Sequence, residues 1–165
     1  MDILQSHDAY LSHPPSERHM AGNPMIPELA LATVMVLLTV AIHAAGLYML
    51  SRLLRLEERE EAQEHLHPLS MRGIAATIIV ILGLFVLHGI EIWLYAFLYL
   101  GIGAVDGLRE AVYFSTITYG AIGDSDAAMA ERWRLVSAIV GINGIILIGW
   151  STAFFVTLIA RMRRT

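Results

Sequence analysis

Three long apolar stretches, at 29–50, 74–100 and 135–162, alternate with polar segments along this chain. At 1.5 Å of rise per residue, each can cross roughly 30 Å of hydrocarbon as a helix. The first is interrupted by His43 and closed by Arg52 and Arg55. The second is longer than a span needs, so it is expected to tilt or protrude. Near its end, Trp93, Tyr95 and Tyr99 are expected to form an interfacial aromatic belt. Arg161, Arg163 and Arg164 close the third. The pattern predicts an all-α membrane protein with three transmembrane helices.

The polar segments divide the chain further. Residues 1–27 carry four of the five prolines and no apolar periodicity, and they lack the basic start and apolar run of a signal peptide. His7, His13 and His19 recur every six residues, a spacing that scatters them on either a helix or a strand. The segment therefore reads as a flexible, solvated tail rather than a metal site. A peripheral transmembrane helix is expected over 28–56, followed by a charged cytoplasmic linker at 57–70 rich in glutamate and ended by Pro68. That linker is a solvated helix or, alternatively, a docking face for a cytosolic partner. Residues 101–107 form a glycine-rich break whose spacing is not that of a dinucleotide-binding loop. Asp106 is expected to cap a short helix running to about Thr118.

Composition adds limits. The chain has 165 residues, 56% of them hydrophobic, and a mean hydropathy of +0.61, too apolar for a soluble domain. All 11 basic residues are arginine, the net charge is −4, and no basic patch suggests nucleic acid. With no cysteine, disulfides and thiol chemistry are excluded. Arg52, Arg55, Arg59 and Arg72 follow the first span and three arginines follow the third, which puts both regions on the cytoplasmic side. The N-terminus is then outside and the C-terminus cytoplasmic, with the bacterial inner membrane as the expected location. No sensor domain is expected after Arg164.

The segment from Tyr113 to Asp126, between the second and third apolar stretches, is too polar to span a bilayer. It resembles the pore-helix and filter segment of the potassium-channel superfamily, where a short helix ends in Thr-Val-Gly-Tyr-Gly-Asp. Tyr113, Phe114 and Ser115 stand where that family has aromatics and serine in its pore helix, and Trp133 opens the next helix at a family-like spacing. Holding both flanks without a gap places Ala121, Ile122, Gly123, Asp124, Ser125 and Asp126 on the six-residue motif. The resemblance covers 74–161 and implies a pore module over 71–165. Its parts are an outer helix at 71–102, a pore helix at 106–118 including Thr118, a filter at 119–126 including Gly120, and an inner helix at 133–163. It also implies assembly as a homotetramer around a central pore.

What the resemblance implies chemically is an altered filter. The family's filters strip the ion's water with rings of backbone carbonyls, and glycine supplies the backbone angles this needs. Gly123 keeps one glycine position, and Ser125 occupies the other. Ala121 lacks the hydroxyl of the innermost ligand ring, and Asp124 replaces the tyrosine. Rings of Asp124 and Asp126 at the outer mouth would attract cations, with Asp124 the candidate metal contact for Ca2+. Weakened selectivity, with K+ and Na+ both conducted, is the expected outcome. In the third span Ile145, Ile148, Thr152 and Val156 share a helical stripe expected to line the inner cavity, with Gly144 or Gly149 as hinge. Packing glycines are the alternative reading.

Ionisable groups inside spans usually mark function. His88 and Glu91, three apart, share a face of the second span and read as a polar pair bracing the pore helix, with proton sensing and ion contact as alternatives. Counting rise from the span ends sets His43 several ångströms deeper, so no direct pair with His88 is expected and His43 reads as a satisfied packing residue. The leading function is a cation channel. A potassium-selective channel and a non-conducting module with the channel fold are the alternatives. No cofactor is expected beyond permeant ions. An enzyme finds no support, since no nucleophile elbow, phosphate loop or helical zinc-protease motif is present.

Overall fold

A computed structural model describes residues 25–60, 71–123 and 130–162. The tail histidines, residues 61–70 of the linker, and Asp124, Ser125 and Asp126 lie outside the described residues. Every regular element described is helical. Helix α1 spans Met25–Glu60, α2 Met71–Gly101, α3 Leu108–Tyr119, and α4 Arg134–Met162, the last preceded by a 3-10 turn at Glu131–Trp133. Three of them, α1, α2 and α4, are long and apolar enough to cross a membrane. Short α3 is the fourth.

Helix α1 packs against both α2 and α4, and α3 is wedged against α2 and α4. The α1–α2 contact is close because glycines face leucines across it. A Cβ added at Gly46 would stand 2.5 Å from Leu87 Cδ1, and one at Gly83 would stand 3.0 Å from Leu50 Cδ1. Small residues let helices approach without a hydrophobic driving force, which lipid does not supply. The main core gathers Ala32, Met35, Tyr95, Tyr99, Phe114, Val136 and Leu147 near the α3 end of the bundle. Leu54, Ala76 and Val80 form a smaller cluster at the other end.

Two expectations change here. Tyr95 and Tyr99 are fully buried rather than members of an interfacial belt, while Trp93 is exposed. The reason is helical phase: Glu91, Tyr95 and Tyr99 are spaced by four and fall on the one face of α2 that meets the other helices. Trp93 points elsewhere. The start of α3 also differs. Gly107, with φ of +90°, is its N-cap, and no side chain caps it. That φ lies where glycine alone is unstrained, and it lets the chain reverse sharply into α3.

Candidate functional site

The site is built around Tyr119, the last residue of α3. Its hydroxyl donates to Glu91 Oε2. His88 Nδ1 lies 2.8 Å from the same hydroxyl and 3.4 Å from Glu91 Oε2. The other carboxylate oxygen, Glu91 Oε1, is 2.9 Å from His43 Nδ1 on α1. On the far side of that ring, His43 Nε2 meets Ser151 Oγ of α4 at 3.2 Å. One carboxylate thus joins all four helices. Glu91 and His43 are wholly buried, and His88 is partly exposed at 19%. The Tyr119 hydroxyl is the donor in its contact with Glu91, since a carboxylate oxygen can only accept.

One turn along α2, a second polar group sits beside the first. Asn143 Nδ2 of α4 donates to Thr39 Oγ1 at 2.9 Å and to Tyr95 Oη at 3.0 Å. Thr39 also bonds back to the Met35 carbonyl at 2.9 Å, which satisfies its hydroxyl. Buried polar atoms in a membrane helix are costly unless paired in this way. The pairing fixes the mutual rotation of α1, α2 and α4, which apolar faces alone would leave loose.

His88 and Glu91 therefore lie together, as their three-residue spacing suggests, and sequence reasoning missed their partners. His43 does not sit deeper and apart: its ring centroid is 5.3 Å from that of His88. The error lay in taking the ends of the two apolar runs as level with each other. Helix α1 continues as helix to Glu60, and the Gly46–Leu87 and Leu50–Gly83 contacts set a register in which His43 faces residues 88–91. Glu91 stands ten residues from Gly101, about 15 Å from that end of α2 at 1.5 Å per residue. Since Tyr119 reaches it, α3 descends well into the bundle and ends there.

Beyond Tyr119 the backbone turns on itself. The amides of Gly120, Ala121 and Ile122 bond to the carbonyls of Thr116, Thr118 and Ile117 at 2.9–3.0 Å. Gly120 has φ of −74°, Ala121 +52° and Gly123 +74°, and Ala121 is the sole described non-glycine residue with positive φ. The sign of φ therefore alternates from 120 to 123. Holding alanine in that region costs about 1–2 kcal/mol, a strain that surrounding structure must offset. An open cleft of about 250 Å³ lies between this turn and α4, lined by Thr118, Ala121, Gly123, Arg134 and Ser137 among others.

The remaining sequence-selected residues divide by face. Phe114 and Ser115 are buried on α3, whereas Tyr113 is exposed. On α4, Ile145, Ile148, Thr152 and Val156 form an exposed face of the single chain, and Gly149 opens onto it. Gly144 is buried on the other face, against the backbone of Tyr119.

A family model described as an ion channel matches residues 76–161, which takes in α3, the turn after it, and nearly all of α2 and α4. No curated protein and no solved structure matches the chain.

Proposed function

Since the chain belongs to the ion-channel family, we propose that it is a homotetrameric cation channel of potassium-channel type, with its filter in Gly120–Asp126. It is an integral membrane protein with three candidate spans, and a channel rather than an enzyme. The observation that carries the finer reading is the end of α3. A short helix stops inside the bundle and runs directly into a turn whose φ alternates in sign. Irregular backbone at membrane depth is tolerated where it is buried in protein or lines water. Four copies around one axis would provide that lining, and their carbonyls would replace the hydration shell of a cation.

In this reading the pore module is 71–165, and α1 is an added helix that braces it through His43 and Thr39. The exposed face of α4, from Ile145 to Val156, supports a cavity-lining role. Arginine placement supports a cytoplasmic C-terminus and an outward filter mouth. With Ser125 in place of a glycine and Asp124 in place of the tyrosine, K+ and Na+ pass with little discrimination, and Asp124 binds divalent cations. The test is purified protein in liposomes under bi-ionic sodium/potassium conditions, with the particle imaged for symmetry. Four copies and a reversal potential near zero are expected. A potential set by potassium alone would make the filter selective, absence of flux would make the chain a non-conducting module, and a stable monomer or trimer would sink the tetramer.

The register has its own check. Asp124→Asn removes four charges per tetramer at nearly constant volume, so calcium block or permeation should weaken severalfold, carboxylate being a far better calcium ligand than an amide. Asp126→Asn should do less, since that position lies in the wetter mouth where salt screens its field. If instead Asp124→Asn leaves calcium sensitivity intact and Ile122 substitutions change it, the alignment is wrong by two residues.

A further inference from the structure

We propose that His43, His88 and Glu91 form a binding site for a divalent transition-metal ion of the zinc class, within the bundle. Three observations carry it. One ligand atom from each of the three residues lies within 4.8 Å of the other two. Tetrahedral zinc with N and O ligands at 2.0–2.1 Å sets them about 3.3 Å apart, so a modest closure, within side-chain reach, completes the geometry. Tyr119 Oη, 2.8 Å from the His88 nitrogen and bonded to Glu91, offers a fourth oxygen.

The second observation is charge. Glu91 is fully buried, and its ionic partners among the described residues are His43 and His88, which carry charge only when protonated. A buried carboxylate without a permanent counter-charge is costly inside a membrane, and a bound cation removes that cost. Two imidazoles and one carboxylate are a donor set that zinc takes in sites with a fourth position open.

The third is the partner of the far nitrogen. Metal-ligating histidines donate their other N–H to an oxygen, which fixes the tautomer. His43 Nε2 already lies 3.2 Å from Ser151 Oγ. With the metal on Nδ1, the ring proton that now faces Glu91 Oε1 is displaced from Nδ1, and the neutral ring carries its proton on Nε2, where Ser151 Oγ accepts it. His88 is the partly exposed member of the three. Occupancy would tie α1 and α2 to the last residue of the pore helix, next to the filter. Binding itself does not depend on conduction, so its test is separate from that of the channel reading.

The experiment uses full-length protein in detergent, with His7, His13, His19, His65 and His67 replaced by asparagine to silence the other histidines. Co2+ titration should give the intense visible absorption of four-coordinate cobalt, saturating at one ion per chain and displaced by Zn2+. His43→Ala and His88→Ala should each weaken binding at least tenfold, and Ser151→Ala by about tenfold. His88→Cys guards against misfolding artefacts: a folded variant should show a new near-ultraviolet thiolate-to-cobalt band. Absence of a saturable band in the histidine-silenced protein would overturn the site, as would bands indifferent to His43→Ala or a folded His88→Cys protein without the thiolate band.

Discussion

Glu91→Ala should destabilise the protein by about 2–4 kcal/mol, because it strips a shared acceptor from three buried or partly buried donors at once. His43 on α1 and Tyr119 on α3 lose the carboxylate they bond to and His88 on α2 its ionic contact, while His88 and Tyr119 keep only each other. Ser151 keeps its contact with His43 but no longer has a fixed ring to hold. Glu91→Gln keeps one carbonyl acceptor and nearly the same volume, so roughly half the loss should return. Thermal melting of the solubilised protein, read beside ion flux, measures both effects. Flux should fall more steeply than stability, since Tyr119 positions the turn that begins at Gly120. A Glu91→Ala protein that melts and conducts like the parent would show that the cluster braces nothing.

Gly144→Ala should also be strongly disruptive, for a reason distinct from helix flexibility. A Cβ at Gly144 would stand 2.0 Å from the carbonyl oxygen of Tyr119 and 2.8 Å from its carbonyl carbon. Those atoms are backbone at the end of α3 and cannot swing aside as a side-chain tip can. Either α4 or α3 must shift, at about 1–3 kcal/mol for an overpacked contact. The shift falls next to the turn proposed as the filter, so on that reading both ion selectivity and conductance should change, and the melting temperature should drop. Gly149→Ala is the contrast. Nothing lies within 4 Å of the added atom, and alanine favours a helix interior over glycine by about 1 kcal/mol, so stability should be kept or raised. If Gly144 served only as a hinge, its alanine variant would melt no lower than the parent and would lose open probability with selectivity unchanged.

Much of this was legible in the one-dimensional pattern. The lengths of the apolar runs against the thickness of a bilayer determine three spanning helices, because hydrocarbon leaves backbone no alternative partner. Spacing alone put His88 and Glu91 on one face of α2, since three residues bring side chains nearly one above the other. The polar, glycine-rich stretch between the second and third spans marked where a short helix would end and irregular backbone begin. These are local properties, set by period, length and the few residues that tolerate positive φ.

What tertiary structure decided is how the helices are phased and slid against each other. His43 and Glu91 lie 48 residues apart in sequence, and no periodicity within one helix can say that they meet. Their meeting depends on the sliding register of α1 on α2, which is set where Gly46 and Gly83 admit Leu87 and Leu50. The burial of Tyr95 and Tyr99 depends on which face of α2 the other helices cover, and that is hidden in a helix apolar on every side. Gly144 looks like any small residue of a membrane helix until the end of α3 is laid against it. In each case the deciding quantity is a contact between distant segments, fixed by packing in three dimensions. A span's hydrophobicity carries no record of its neighbours, because lipid and protein interior are equally apolar.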